Sequence, residues 1–187
     1  MPDAGIFVLA ELEGPAGERI SEINRRFDPR LAAMRPPHVT IAGSSGAGPL
    51  PAGTPVEEIR RALEPIARET PPLVLPFGRP HRFMQSDVVV LPLDPHGPLR
   101  VLHDRIKASG LPWAYPKFTF TPHATLSMFR ELSREQAREL LSLRVTEPAV
   151  IDRLKVYLTR DPQPAILLLE LPLAGEGSAA SPVARPA

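Results

Sequence analysis

The chain has 187 residues, with 22 basic and 21 acidic side chains, a formal net charge of +1 and no cysteine. The lack of cysteine excludes disulfides, thiolate nucleophiles and cysteine metal sites, and the balanced charge argues against a large sequence-independent grip on duplex DNA. No stretch approaches the roughly 18 apolar residues of a membrane span, and the start has no leader pattern, so we expect a cytoplasmic protein without a membrane partner.

The length fits one large domain or two fused lobes, and it is sufficient for a core that needs no disulfide staples. We place the folded part at residues 1–174, as a single bilobal domain. The remaining residues, 175–187, are small and proline-containing and show no apolar periodicity. We therefore expect residues 175–187 to form a disordered tail.

The first elements are predicted by apolar periodicity. The apolar run at residues 6–12 is bounded by glycines and predicts a strand, and residues 19–27 carry apolar side chains at helical spacing. A strand at residues 38–42 follows and ends in the glycine-rich segment 43–48. Because no Lys-Ser/Thr follows these glycines, they favour a plain flexible loop over a phosphate-binding loop.

The middle of the chain continues with strands and helices. Thr54-Pro55-Val56-Glu57 has the form of a capping box and predicts a helix. Residues 73–77 and 83–93 are predicted strands, and a helix over 99–106 is ended by Gly110.

The second half repeats this plan. The predicted elements are strands at 117–120 and 123–129, a helix from a capping box at Ser133 to about Leu143, and a closing hairpin at 150–159 and 165–171. Periodicity alone therefore indicates an α+β protein with a mostly antiparallel sheet.

One short phrase occurs twice, as Pro37-His38-Val39-Thr40-Ile41 and as Pro122-His123-Ala124-Thr125-Leu126. Residues i and i+2 of a strand point to the same face, so each His-x-Thr places an imidazole beside a hydroxyl. A single His-x-Thr is best interpreted as ordinary strand residues. Two of them among five histidines would arise by chance in roughly 2% of such sequences, so the pair favours function.

The paired motifs supply the groups needed for acid–base chemistry on a phosphate ester. One imidazole could take a proton from water while the other protonates the leaving ribose oxygen. Thr40 and Thr125 would donate hydrogen bonds to the non-bridging phosphate oxygens. This chemistry requires no metal and no cofactor, and the sequence leaves open whether His38 or His123 is the acid.

The paired motifs, in a chain of this size, resemble the 2H phosphoesterase superfamily, also called the 2′-5′ RNA ligase-like or cyclic phosphodiesterase family. The resemblance covers roughly residues 5–172, and its specific evidence is the ten motif residues. It implies a bilobal α+β fold with pseudo-two-fold symmetry. In that fold, two mostly antiparallel sheets with outer helices surround a central cleft, where one His-x-Thr from each lobe meets the other.

The resemblance also implies an activity and a substrate class. The expected reaction is hydrolysis of the 2′,3′-cyclic phosphate of a small nucleotide or an RNA end, with reversible 2′-5′ RNA ligation as a related activity. Arg35, just before the first motif, is a candidate phosphate clamp. Phe7, Phe118 and Tyr157 are candidates for stacking on a base, although aromatic strand residues more often belong to the core.

Two alternatives to an enzyme remain at this point. The same fold could serve as a non-catalytic nucleotide or RNA binder, or the motifs could be strand residues of an unrelated protein, with His38 and His123 far apart. For an enzyme we expect the two imidazoles within about 10 Å of each other across one groove. The other histidines, at 81, 96 and 103, match no zinc pattern and are predicted to be surface residues.

Overall fold

The computed structural model describes residues 4–84, 86–160 and 163–176. Its main sheet has eight strands in the order β10-β9-β1-β2-β7-β6-β5, with β3 paired to β1, and a second sheet joins β4 to β8. Each of these pairings is antiparallel. The strands are β1 (Gly5–Glu11), β2 (His38–Ala42), β3 (Leu50–Pro51), β4 (Leu73–Leu75), β5 (His81–Arg82), β6 (Val89–Pro92), β7 (His123–Ser127), β8 (Ala149–Ile151), β9 (Arg153–Arg160) and β10 (Gln163–Pro172).

Five helices lie in the described part of the chain. They are α1 (Gly14–Phe27), α2 (Pro29–Met34), α3 (Val56–Glu69), α4 (Pro98–Lys107) and α5 (Arg134–Ser142). Each of the three long helices α1, α3 and α4 buries one apolar stripe, and they pack respectively on β7, β10 and β2. The hydrophobic core therefore lies between these helices and the sheet.

The fold confirms the α+β architecture expected from the sequence. The pseudo-two-fold symmetry is visible in the sheet, where β1 and β2 form one antiparallel pair and β6 and β7 form another. The two pairs meet where β2 and β7 lie side by side, so the strands of both halves form one continuous sheet. The small β4–β8 sheet lies outside this central arrangement.

Some predicted elements differ from those observed. Residues 117–120 are irregular, and the long run at 83–93 forms a strand only at Val89–Pro92. Thr54 does not cap α3, because its hydroxyl donates to the carbonyl of Pro51 at 2.8 Å and Pro55 is the N-cap residue. The capping box at Ser133 is confirmed, with both reciprocal hydrogen bonds present.

The glycine-rich segment after β2 is packed rather than loose. Gly46 has a φ of 75° and donates its N–H to the carbonyl of Phe118 at 2.8 Å. A Cβ at this position would overlap Nε2 of His103, so only glycine fits. His103 itself is buried, stacked on Phe120 and hydrogen-bonded to the carbonyl of Ile41 at 2.6 Å, which corrects its prediction as a surface residue.

The end of the folded domain is held by backbone hydrogen bonds. The N–H of Ala174 donates to the carbonyl of Ala67 and that of Gly175 to Thr70. Residues 177–187, which form most of the predicted tail, lie outside the described residues. Among the residues that are described, no helix is both long enough and apolar enough to cross a membrane.

Candidate active site

The two His-x-Thr motifs lie next to each other on the central strands β2 and β7. These strands pair antiparallel at Val39 and Ala124. That register places His38 opposite Thr125 and Thr40 opposite His123, with all four side chains on one face. His38 and His123 occupy diagonal positions of the pair, where Cβ atoms are typically about 7–8 Å apart. The register therefore brings the four motif residues into one site.

Both imidazoles are held by the backbone in the same orientation. Nδ1 of His38 donates to the carbonyl of Pro36 at 2.9 Å, and Nδ1 of His123 donates to the carbonyl of Thr121 at 2.7 Å. Because a carbonyl can only accept, the proton of each neutral ring lies on Nδ1. Nε2 of each neutral ring is then the nitrogen that can accept a proton.

The surroundings of the histidines favour their neutral forms. Burial lowers the pKa of His38, and the positive charges of Arg35 and His123 lower it further. The hydrogen bond to Pro36 and the negative charge of Glu11 raise this pKa but do not outweigh burial. Burial also lowers the pKa of His123 against its bond to Thr121, and the charge of His81 contributes to the lowering. Burial therefore favours the neutral form of both rings, in which Nε2 can accept a proton.

A charged cluster flanks His38 on β1 and β9. Glu11 lies directly opposite His38 in the β1–β2 register. Its carboxylate accepts hydrogen bonds of 2.5 Å from the Lys155 ammonium and from the Tyr157 hydroxyl. Burial raises the pKa of Glu11, but these bonds and the charges of Lys155 and His38 outweigh burial and lower it. Burial and the bond to Glu11 raise the pKa of Tyr157 to about 12.

An aromatic cluster flanks His123 on the other side. The ring of Phe83 packs edge-on against His123, with 5.0 Å between centroids, and His81 packs edge-on against Phe83 at 5.6 Å. His81 lies opposite Val90 on β6, whose own partner on β7 is Thr125. His81 therefore lies on the same face as the motifs, although it is exposed.

Two buried polar residues beneath the site hold β7 in place. Nδ2 of Asn24 on α1 donates to the carbonyls of Thr125 and Leu126, at 3.1 and 2.9 Å. Asp28 accepts the N–H groups of Met128 and Phe129, at 2.8 and 2.7 Å. These bonds satisfy backbone groups of β7 and of the two residues that follow it.

The remaining predicted site residues fall in different places. Arg35 lies close enough for its charge to act on His38. Phe7 and Tyr157 are cross-strand partners of β1 and β9 and are both half-buried. Phe118 lies outside the sheet in the irregular segment before β7 and is 72% exposed. The structure thus brings Phe7 and Tyr157 together near the motifs, whereas Phe118 belongs to the loop that contacts Gly46.

Four residues around the motifs, Glu11, Lys155, His81 and Phe83, were not predicted from the sequence to belong to the site. Glu11 did carry a signal, since it is a lone charge at the end of an apolar strand. Lys155 also carried one, because it shares the face of Tyr157 two residues later in an alternating strand. His81 carried no comparable signal, because its short edge strand looks like a turn, and Phe83 was predicted only as the start of a long strand.

The described residues contain no group of three or more His, Cys, Asp or Glu side chains arranged to hold a metal ion. The polar groups on the motif face include two imidazoles, two hydroxyls and the ion pair of Glu11 with Lys155. This set can donate and accept protons and can hydrogen-bond an anion.

Comparison with known proteins agrees with this geometry. The family model described as 2′-5′ RNA ligase superfamily matches residues 12–162. No curated protein matches the chain.

Solved structures with the same fold cover nearly the whole chain. TT0787 of Thermus thermophilus is 14% identical, covers 92% of this chain and 100% of its own, and gives a TM-score of 0.63. E. coli LigT complexed with 3′-AMP is 18% identical, covers 91% of this chain and 98% of its own, and gives a TM-score of 0.55. E. coli LigT complexed with ATP is 20% identical, covers 91% of this chain and 97% of its own, and also gives a TM-score of 0.55. These similarities confirm the fold inferred from the motifs.

Proposed function

Because this chain belongs to the 2′-5′ RNA ligase superfamily, also called the 2H phosphoesterases, we propose that it hydrolyses the 2′,3′-cyclic phosphate of a nucleotide or an RNA end. The family supports a phosphoesterase or RNA-ligase type of enzyme. The observation that carries the finer proposal is the β2–β7 register, which sets two histidines and two threonines on one face. Reversible 2′-5′ RNA ligation would use the same groups in the opposite direction.

The proposed reaction is an in-line displacement assisted by both imidazoles. One Nε2 removes a proton from water as the water oxygen attacks phosphorus. The bond from phosphorus to one ribose oxygen breaks, and the other Nε2 protonates that oxygen. The two rings supply both proton transfers, so we propose catalysis without a metal ion.

The substrate class is supported by the ligands of proteins with the same fold. The solved LigT structures include complexes with 3′-AMP and with ATP, which are small nucleotides. In this chain, Tyr157 and Phe7 on one side and Phe83 on the other would contact a base or ribose, which is supported by the Phe7–Tyr157 pairing and by the contact of Phe83 with His123. Arg35 would contribute positive charge toward the phosphate.

The proposal is tested by incubating the protein with the four nucleoside 2′,3′-cyclic phosphates in EDTA. We expect conversion to a single type of product, either the 2′- or the 3′-phosphate, resolved by chromatography or ³¹P NMR. Binding of the cyclic nucleotides without turnover would instead identify a non-catalytic binder. Turnover that EDTA abolishes would contradict the two-histidine mechanism.

The threonines have a separate expected effect. Thr40→Val and Thr125→Val keep the side-chain shape but remove the hydroxyl that would donate to a non-bridging oxygen. We expect each to lower kcat by about 10–100-fold with a smaller change in KM, because the charge on these oxygens is greatest in the transition state. Steady-state kinetics on the best cyclic nucleotide measures both constants. Thr159→Val, on the far end of β9, is the matched control and should leave both unchanged.

A further inference from the structure

The two halves of the site have matching backbones. The β1–β2 pair shifts register between Val8 and Leu9, and the β6–β7 pair shifts between Val89 and Val90. In each half, the carbonyl of the proline before the histidine accepts a hydrogen bond from a backbone N–H just beyond the neighbouring strand. The N–H of Leu12 donates to Pro37, and the N–H of Leu93 donates to Pro122. The residues next to His38 can therefore be compared position by position with those next to His123.

The halves differ at the position directly opposite each histidine. Glu11 lies opposite His38, and Pro92 lies opposite His123. A carboxylate in one half thus corresponds to an uncharged ring in the other. The Glu11 side chain is only 14% exposed, so water screens its charge weakly.

The two halves also differ in the next strand outward. Lys155, opposite Leu9, corresponds to His81, opposite Val90. Lys155 hydrogen-bonds Glu11 and holds it in place, whereas the equivalent side of His123 carries the edge of the Phe83 ring. One histidine therefore lies beside a carboxylate paired with Lys155, and the other beside a proline and the edge of the Phe83 ring.

We propose that Glu11 is a positioning residue that favours the catalytic proton on His38 over His123, so that His38 is the general acid and His123 the general base. This inference rests on the proposed function for its catalytic part. In the forward reaction Nε2 of His123 takes the proton of the attacking water. The bond from phosphorus to the leaving ribose oxygen breaks, and Nε2 of His38 delivers its proton to that oxygen. Exchange with solvent then restores both rings.

The charged groups around His38 make the direction of the effect definite. Glu11 on β1 raises the pKa of His38, while Arg35 before β2 and His123 on β7 lower it, and Lys155 and Tyr157 on β9 act through Glu11. Removing the negative charge should lower the pKa of His38. Removing Lys155 leaves the negative charge less compensated and should raise it.

The test is an NMR titration of the two histidines in the whole protein, with ring signals assigned from His38→Ala and His123→Ala. In Glu11→Gln we expect the pKa of His38 to fall by about 0.5–1 unit, and in Lys155→Met to rise by about half a unit, with His123 nearly unchanged in both. A general loosening of the site would not move one group in opposite directions. Equal shifts of both histidines, or shifts of one sign in both variants, would overturn the inference.

Two further variants test the comparison of the halves. Glu13→Gln removes the same charge two residues away, where Glu13 is 68% exposed and 3.4 Å from Lys155, and should shift His38 much less than Glu11→Gln does. Pro92→Glu places a carboxylate opposite His123 and should raise the pKa of His123. No rise in Pro92→Glu would contradict the argument from equivalent positions.

The pH dependence of turnover distinguishes this inference from the proposed function. In the pH profile of kcat/KM, Glu11→Gln should move the basic limb, which reports the acid, to lower pH by the shift measured for His38. Movement of the acidic limb alone would reverse the assigned roles and overturn the inference. If the wild type turns over no cyclic phosphate, the proposed function fails, and opposite shifts in the titration still support control of the His38 proton by Glu11.

Discussion

Replacing either His38 or His123 with alanine is expected to lower kcat for hydrolysis of a nucleoside 2′,3′-cyclic phosphate by about 10²–10⁴-fold. Each variant removes one of the two proton transfers that accompany the in-line displacement. The remaining imidazole cannot perform both, because attack and departure occur on opposite sides of phosphorus. Single-turnover and steady-state rates, measured with circular dichroism to verify folding, give the size of each loss.

The double variant tests whether the two imidazoles act together. If the two imidazoles act as a unit, His38→Ala combined with His123→Ala should be only slightly slower than either single variant. His96→Ala is the matched control, since His96 is exposed in the loop before α4, and it should retain full activity. Losses below about tenfold in both single variants would show that other groups carry the chemistry.

Replacing Asp28 with alanine is expected to lower the free energy of unfolding by about 3–5 kcal/mol, as measured in urea. Asp28 is 1% exposed and accepts three backbone N–H groups, from Leu31 at 3.0 Å and from Met128 and Phe129. Alanine leaves these donors buried without acceptors. Asp28→Asn retains an acceptor oxygen and should cost about half as much.

The surface carboxylate Asp104 provides the control for this measurement. It pairs with Arg100 one helical turn away, both side chains are about half exposed, and Asp104→Ala should cost less than about 0.5 kcal/mol. An equal loss in the two alanine variants would contradict the role assigned to the buried carboxylate.

The stabilising effect of Asp28 should also depend on pH. Burial raises the pKa of Asp28, but the backbone hydrogen bonds and the charge of Arg30 outweigh burial, so the pKa lies below its ordinary value. A lowered pKa means that the stabilisation is fully present above the unfolded value of about 3.9 and is lost as the pH falls through the folded value. The difference in unfolding free energy between wild type and Asp28→Ala should therefore shrink in acid.

The sequence was sufficient to predict the fold class and the family. Apolar periodicity indicated the α+β class, and the resemblance carried by the two His-x-Thr phrases indicated the family. The helices α1, α3 and α4 were also predicted from their apolar stripes, although α1 begins earlier, at Gly14 with proline in its first turn. These features depend on residues close together in the chain.

The flanks of the site could not be predicted because they depend on strand register. Glu11 meets Lys155 and Tyr157 only because β9 pairs with β1 across more than 140 residues of chain. Phe83 meets His123 only because the β5–β6 hairpin turns back beside β7. Thr54 was assigned to a helix cap because its sequence fits one, and the hydroxyl instead found a closer partner in Pro51.

The strand order has a consequence for how the protein is made. The first strand, β1, lies between β2 and β9, and Lys155 of β9 is made 144 residues after its partner Glu11. Until β9 (Arg153–Arg160) arrives, β1 presents an unpaired apolar edge, which is a site for aggregation. Pairing over such a separation is also slow, because closing a long loop costs entropy before it forms contacts. The nascent chain is therefore most vulnerable after His38 has been made and before β9 pairs with β1.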